Sequence, residues 1–417
     1  MTPLLLLVRR SLRQHAFSTG LTAVSIALAG GLVMAIFALK TQSEEAFTGE
    51  RLGFDGVLGA RSSPLQLVLN AVFHLEVSPG NIPWKLYESV REDPAVSLAI
   101  PYALGDNYHG FRLVGTTSEL FTDLTFSDGG RFTLQEGDFF DAGRREAVVG
   151  SFAAQETGLK PGDPINPFHG LAFDPSAQHP EEYIVVGILN PTNSPADRVI
   201  WIPIEGIFRM EGHVLRGSGD IYTPQAGTPI PLEHKEVSAV MIKVESPAQG
   251  FALAQTINRQ GTVATLAYPV GSVMADLFNK IGWIVLVLEL VAYLVVVVAA
   301  ASLTAALYNT LNERRRDIAI LRALGARRGL IFQTLLLEAA AIGAMGGALS
   351  FAVYAAIVLG AREVLRAEVG ILVTPFSWHP ALVAVPLAMI LLGALSGFLP
   401  AYKAFRTDVA KNLTPTT

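Results

Sequence analysis

The side chains through which this chain could act on another molecule are few: eight histidines, and two glutamates set inside apolar runs. Six of the histidines, His74, His109, His169, His179, His213 and His234, fall between residues 40 and 280. Neutral imidazole is the commonest metal ligand, so metal binding is the first chemistry to weigh. His74 and Glu76 have a spacing that a strand turns to one side, which makes them the local candidate pair. It is a weak one, because scattered loop histidines are usually polar surface, and no metal site is assigned. Cysteine is absent, which excludes disulfides, a thiolate nucleophile and cysteine-based zinc or iron-sulfur centres. No G-x-x-x-x-G-K-[ST] phosphate loop, H-E-x-x-H or G-x-S-x-G occurs, so no catalytic and no cofactor-binding residue is assigned. By this reading the chain is not an enzyme on its own.

Glu289 and Glu338 carry a different implication. A carboxylate within a hydrocarbon-spanning segment costs roughly 2.5–3.5 kcal/mol at its centre, so it marks a functional hypothesis by default. Glu338 lies two to three turns from Arg327 and Arg328, which predicts local pairing or a hydrogen bond between helices. Glu289 lies roughly two turns in from the outer end of the second span, where it could face a cavity between copies of the chain or sit protonated in a packed interface.

What positions these residues is a chain of two kinds of sequence. Over 417 residues it is 51% hydrophobic and 16% charged, with mean hydropathy +0.41, too apolar for an ordinary soluble protein and too polar for one wholly in a membrane. Four stretches reach the ~20 apolar residues that a membrane crossing needs. They are 17–39, 281–307, 330–359 and 381–401. The region 40–280 is polar, rich in Gly and Pro, and long enough to bury its own core.

Arginine and lysine flank the apolar runs on alternate ends: Arg9, Arg10 and Arg13, then a six-arginine stretch, then Lys403, Arg406 and Lys411. Positive flanks stay cytoplasmic. The expected topology is therefore a cytoplasmic segment 1–16, an extracytoplasmic domain 40–280, a cytoplasmic connection 308–329, a short outer loop 360–380 and a cytoplasmic tail 402–417, in the inner (plasma) membrane. The first apolar run is about 23 residues, longer than the 7–15 of a signal-peptide core, and reads as a retained span. A net charge of -5 argues against nucleic acid as a partner. Gly20, Gly30 and Gly31, with Ser25 and Ala27, allow a close helix contact in the first span.

Within 40–280, the segments 111–116, 146–150, 183–189, 199–203 and 238–244 read as strands, and 83–91, 151–157 and 247–259 as helices. Pro247 suits a first helical turn and Gly261 a stop. The domain is predicted α+β, with one small subdomain inserted into another. "LGARSSPLQLVLNAVFHLEV", 58–77, is apolar enough to suggest a surface against membrane or a partner, but a core helix is the preferred reading.

"NERRRDIAILRALGARRG", 312–329, holds the densest positive charge. Asn312 suits an N-cap, Ile318, Leu321 and Leu324 recur at helical spacing, and Gly325 offers a stop. This predicts a short amphipathic helix at the inner face, which either fixes topology or docks on another protein. The stretch with its continuation "LIFQTLLLEAAAIGAMGGALS" resembles the signature of MacB/FtsX-like permeases of ABC transporters, E-R-x-R-E-I-x-I-x-R-A-x-G-A followed by a glycine-rich span. "GGRFTLQEGDFFDAGRREAVVGSFAAQETGLKPGDPI", "YIVVGIL" and "VIWIPIEGI" are similar to that family's extracytoplasmic core, and "GFLPAYKAFRTDVAKNL" to its closing G-x-x-P-A-x-x-A motif. Asp317 stands where the family usually has Glu, and "TDVAKNL" replaces the usual D-P-x-x-A-L.

The resemblance implies four transmembrane helices with a large MacB-like α+β domain inserted between the first and second. It implies a dimer, of two copies or with a related chain, and two copies of a cytoplasmic ABC ATPase that carry the ATP and Mg. Arg314, Arg315, Asp317, Ile318, Leu321, Arg322, Leu324 and Gly325 would couple to that ATPase. ATP-driven motion would reach the outer domain to move or extract a substrate, with a periplasmic partner or substrate-binding protein as a further participant. An FtsX-like regulator of an envelope enzyme, such as a cell-wall hydrolase, is the alternative. A metal-handling membrane protein is the third reading.

Overall fold

The computed structural model describes residues 3–47, 53–126, 129–170, 173–211, 213–217, 219–225, 228–261, 263–369 and 373–405. The tail beyond 405, with Arg406 and Lys411, lies outside the described residues. Two compact units emerge, Ser43–Lys280 with Val364–Leu372, and the remainder.

The Ser43–Lys280 unit is α+β, built on one mixed sheet. Its strands run in the order Ala264–Ala267, Gly56–Ala60, Ala239–Val244, Val96–Tyr108, Phe111–Thr116, Ile200–Pro203, Glu146–Val149, Tyr183–Leu189 and Leu134–Gly137. The thirteen-residue strand Val96–Tyr108 joins two lobes. Its first half pairs with Ala239–Val244, and its second half with Phe111–Thr116, the register shifting between Leu104 and Asp106. One lobe thus comes from the ends of the domain sequence and the other from its middle, as expected for an insertion.

Period-two alternation places neighbouring residues in opposite cores. Leu58, Leu113, Ile200, Ile202 and Val240 face one core. Val57, Val114, Trp201 and Met241 face the other. Both faces are buried, which is why these strands read as nearly continuous apolar runs. The helix Pro247–Gln260 covers one face; Ser246 caps it by accepting from the Gln249 amide, Pro247 opens it and Gly261 closes it at φ +67°. The stretch 58–77 contributes the buried strand residue Leu58 and a helix, Pro64–Ala71, with Leu67, Val68 and Ala71 buried. Leu75 and Val77 beyond it are exposed.

Among the described residues four helices are long and apolar enough to cross a membrane, Ala16–Phe47, Val270–Glu313, Arg328–Val369 and Ala381–Phe405, and the greater part of each belongs to the second unit. All four outrun the apolar stretches read from hydropathy, since nothing breaks the helix at the polar edge. The stretch 360–369, expected as loop, is helical because "GAREVLRAEV" consists largely of good helix formers. Glycines let the backbones close in. A Cβ on Gly31 would lie 2.5 Å from Val353 Cβ, on Gly346 2.5 Å from Ile26 Cγ2, and on Gly343 2.5 Å from the Met389 carbonyl. The first span therefore packs on the third and the third on the fourth. Gly30 faces Ser350 and Met389 and Ala27 is buried, whereas Gly20 meets nothing within 4 Å and Ser25 is half-buried.

Candidate functional site

Between the second and third spans the chain turns through an elbow. The helix Val270–Glu313 ends, Arg314 breaks it at φ -95° and ψ 5°, and a nine-residue helix, Arg315–Ala323, follows. Asn312 does not cap this helix. It lies exposed in the last turn of the preceding one, because the apolar pattern of that helix runs on through the buried Leu311. Gly325 does end the short helix, at φ +100°, where a side chain would be strained.

Arg314 turns back toward the N-terminal helix Pro3–Gln14. Its Nη1 donates to Ser11 Oγ, its Nη2 to the Ser11 carbonyl at 3.3 Å, and its Nε to His15 Nε2 at 3.1 Å. An acceptor role at Nε2 puts the His15 proton on Nδ1, which lies 3.7 Å from Glu313 Oε2. Ser11 passes the polarity on, its hydroxyl donating to Glu338 Oε1, while Glu338 Oε2 lies 3.7 Å from Arg314 Nη1. Glu338 is 2% exposed. Its pairing partner is thus Arg314, with Ser11 as the bridge, rather than Arg327 or Arg328. Glu289 has a partner too: Lys40 Nζ stands 3.8 Å away, so the carboxylate is paired within its own chain.

The predicted coupling residues divide. Ile318 is buried in a small core with Leu311, Ile331, Leu335, Ala401 and Ala404. Ala401 and Ala404 belong to the closing sequence motif, which therefore braces the elbow. Leu321 is 41% and Leu324 81% exposed, and Arg315 and Asp317 are exposed, while Arg322 is half-buried. Of the three apolar positions at helical spacing, only Ile318 faces inward. A cavity of about 250 Å3 opens beside the elbow, lined by Ser11, Arg314, Asp317, Ile318, Leu321 and Glu338 among others.

In the Ser43–Lys280 unit the histidines also divide. His74 adopts φ +57°, its Nδ1 is buried without a partner, and burial, with Arg112 and Arg198 nearby, lowers its pKa to about 3. Glu76 is exposed, and its carbonyl is taken by Asn70 and Arg112. The expected His74 and Glu76 pair is not brought together as a ligand cluster. His109 stacks on Phe173 and His234 on Tyr222. The other three, His169, His179 and His213, converge with Asp106, all four ligand atoms within 4.8 Å of one another. Asp106 is fully buried, and although burial works to raise its pKa, hydrogen bonds and charge from His179 and His213 hold it at about 2. Burial likewise opposes charge on His213, but the hydrogen bond and charge of Asp106 raise its pKa. Sequence reading missed this group because its members are 10 to 107 residues apart along the chain, and only the fold collects them, Asp106 and His169 by strand pairing and His179 and His213 from loops.

Two family models match. Residues 19–260 match the MacB-like periplasmic core domain, and 289–409 match the FtsX-like permease C-terminal. The macrolide export ATP-binding/permease protein MacB of Escherichia coli is 37% identical over 99 residues, 24% of this chain and 15% of that protein. Its namesake from Bordetella avium is 23% identical over 292 residues, 67% of this chain and 40% of that one. The chain thus spans well under half the length of these relatives. Among solved structures, the periplasmic region of MacB from Actinobacillus actinomycetemcomitans aligns at 9% identity over 54% of this chain and 94% of that one, with a TM-score of 0.33. With one model on the large domain and the other on the last three spans, the chain belongs to the MacB/FtsX-like ABC permease family.

Proposed function

We propose that this chain is the transmembrane subunit of an ABC transporter of this type, and that it carries motion from a cytoplasmic ATPase on another polypeptide to its outer domain. The connection 308–329 and both ends lie in the cytoplasm, in keeping with their arginines and lysines. The chain works as a dimer, with one ATPase on each half, and acts on a substrate met outside the membrane. The observation that carries this reading is the elbow itself. A helix with Leu321 and Leu324 turned outward is pinned through Arg314 to the N-terminal helix and, through Ser11 and Glu338, to the third span. A push on the outward leucines therefore reaches two other helices through one polar bridge, a two-state element that a ligand bound elsewhere can bias. Nothing among the 417 residues matches a phosphate loop, so ATP and Mg are assigned to the partner.

The test is co-expression with candidate ABC ATPases, purification in nanodiscs, and measurement of capture and ATP turnover. Wild type captures an ATPase, and the double substitution Leu321→Asp with Leu324→Asp loses it while inserting normally. Equal capture by both, or capture of no candidate by wild type, removes the coupling role.

A further inference from the structure

The cluster around Asp106 is assembled from four separate segments of the chain. Asp106 follows the register shift in the Val96–Tyr108 strand, and His169 is its direct partner on the short strand Phe168–His169. His179 is returned to the same place by its amide bond to the Pro167 carbonyl, 2.8 Å. His213 follows the helix Ile204–Phe208. Asn107 fixes the loop by donating to the carbonyls of Phe168 and Gly170 at 3.2 and 3.0 Å.

Three ring nitrogens, His169 Nδ1, His179 Nε2 and His213 Nε2, each lie 3.3 Å from one oxygen, Asp106 Oδ1. Charge-assisted hydrogen bonds are shorter, about 2.7–2.9 Å. A tetrahedral ion with bonds of about 2.0 Å separates its ligands by about 3.3 Å. The rings stand edge to face, at 68°, 80° and 89° to one another, as they do when three imidazoles aim at a common point.

The tautomer of His213 adds an independent reason. Its Nδ1 lies 3.0 Å from the Ile207 carbonyl, which can only accept, so Nδ1 carries a proton, and in the neutral ring the Nε2 lone pair faces the carboxylate. Lone pair against lone pair is repulsive unless a cation lies between them. Protons would have to supply up to three imidazolium charges within one small volume, whereas a single dication satisfies all four ligands. A backbone carbonyl on the far ring nitrogen is also the usual support of a metal-bound histidine. Asp106 Oδ2 is buried with no hydrogen-bond partner, leaving the carboxylate free to bind through either oxygen or both.

We propose that Asp106, His169, His179 and His213 bind one divalent transition-metal ion, with Zn2+ the best match to three imidazoles and a carboxylate. Four protein ligands fill a tetrahedral shell, so the ion is held and no position is left open for hydrolysis. His169, 62% exposed, is the ligand through which the ion exchanges with solvent. All four ligands belong to the Ser43–Lys280 unit, and the proposal is independent of the role proposed for the spans.

Tag-free, full-length protein in detergent is stripped with a chelator and titrated with Zn2+ against a chromophoric competitor, and a parallel sample is loaded with Co2+ for visible absorption. One ion per chain and the intense visible bands of tetrahedral Co2+ are expected. His213→Gln and His169→Gln each weaken binding about 10-fold or more, taking the loss of outer-shell support as the lower bound. His109→Gln, outside the cluster, leaves it unchanged. Less than one ion bound, an octahedral Co2+ spectrum, or affinity unmoved by His169→Gln overturns the site. His169 is exposed, so that last variant folds and decides the matter even where His213→Gln does not.

Discussion

The Ser11 hydroxyl donates to the carboxylate of Glu338, a residue 327 positions further along the chain. That one bond ties the helix before the first span to the third span, and Arg314 closes the triangle from the elbow. Ser11 can serve both neighbours because a hydroxyl donates once and still accepts.

Glu338→Ala leaves the Arg314 guanidinium without its buried counter-charge and is expected to destabilise the protein by about 3 kcal/mol. Ser11→Ala removes one donor from a buried carboxylate and costs about 1–3 kcal/mol. Thermal unfolding in detergent reads both. In a double-mutant cycle the two losses are expected to be non-additive, and additive losses would show that the bridge is not a unit.

Ile318 and Leu324 differ by six positions and by their surroundings. Ile318→Ala empties part of the core that holds Ala401 and Ala404, a loss of about 2–4 kcal/mol. Leu324→Ala changes stability by less than about 0.5 kcal/mol. If the proposed coupling holds, the second substitution nonetheless lowers ATPase capture, measured as bound ATPase per permease.

A Cβ at Gly343 would meet the Met389 carbonyl at 2.5 Å, an atom of the backbone that cannot swing aside. Gly343→Val is expected to force the third and fourth spans apart, at about 1–3 kcal/mol and with faster proteolysis in detergent. Gly20→Ala, with open space around it, is the matched control and leaves both readouts at wild type.

His74 has a pKa of about 3 in the fold against an ordinary value of 6.5. Below 6.5 the unfolded chain takes up the proton and the folded one does not, so stability falls as pH drops from 6.5 toward 3, by on the order of 1.4 kcal/mol per unit. Denaturant midpoints between pH 7 and 4.5 test this. His74→Asn, which tolerates the positive φ, flattens that part of the profile.

Much of the fold was legible because its signals are local. Hydropathy marks each span, and short runs rich in Val, Ile and aromatic residues between turn formers mark the strands 111–116 and 183–189, both of which form as read. Ser246, Pro247 and Gly261 delimit a helix by chemistry contained within it. Asn312 misled because the same residue types that cap a helix also tolerate its last turn, and only the buried Leu311 before it shows that the longer helix had not ended. The outward leucines were equally hidden: spacing shows that Ile318, Leu321 and Leu324 share a stripe, but not which side of the elbow the core occupies. The partners of Glu338 and Glu289 lie far off in sequence. So do His169, His179 and His213, which meet at Asp106, just past a one-residue shift in strand register.

The strand Val96–Tyr108 runs unbroken through both lobes of the outer domain, and its bulge precedes Asp106 by one residue. A continuous strand is a spar: load entering one lobe arrives in the other without a loop to absorb it, and the bulge is where the spar flexes most readily. An ion bridging Asp106 to residues 169, 179 and 213 would splint the spar at that point. The stiffness of the domain, and so the fraction of any pull that survives its length, would then be set by metal supply.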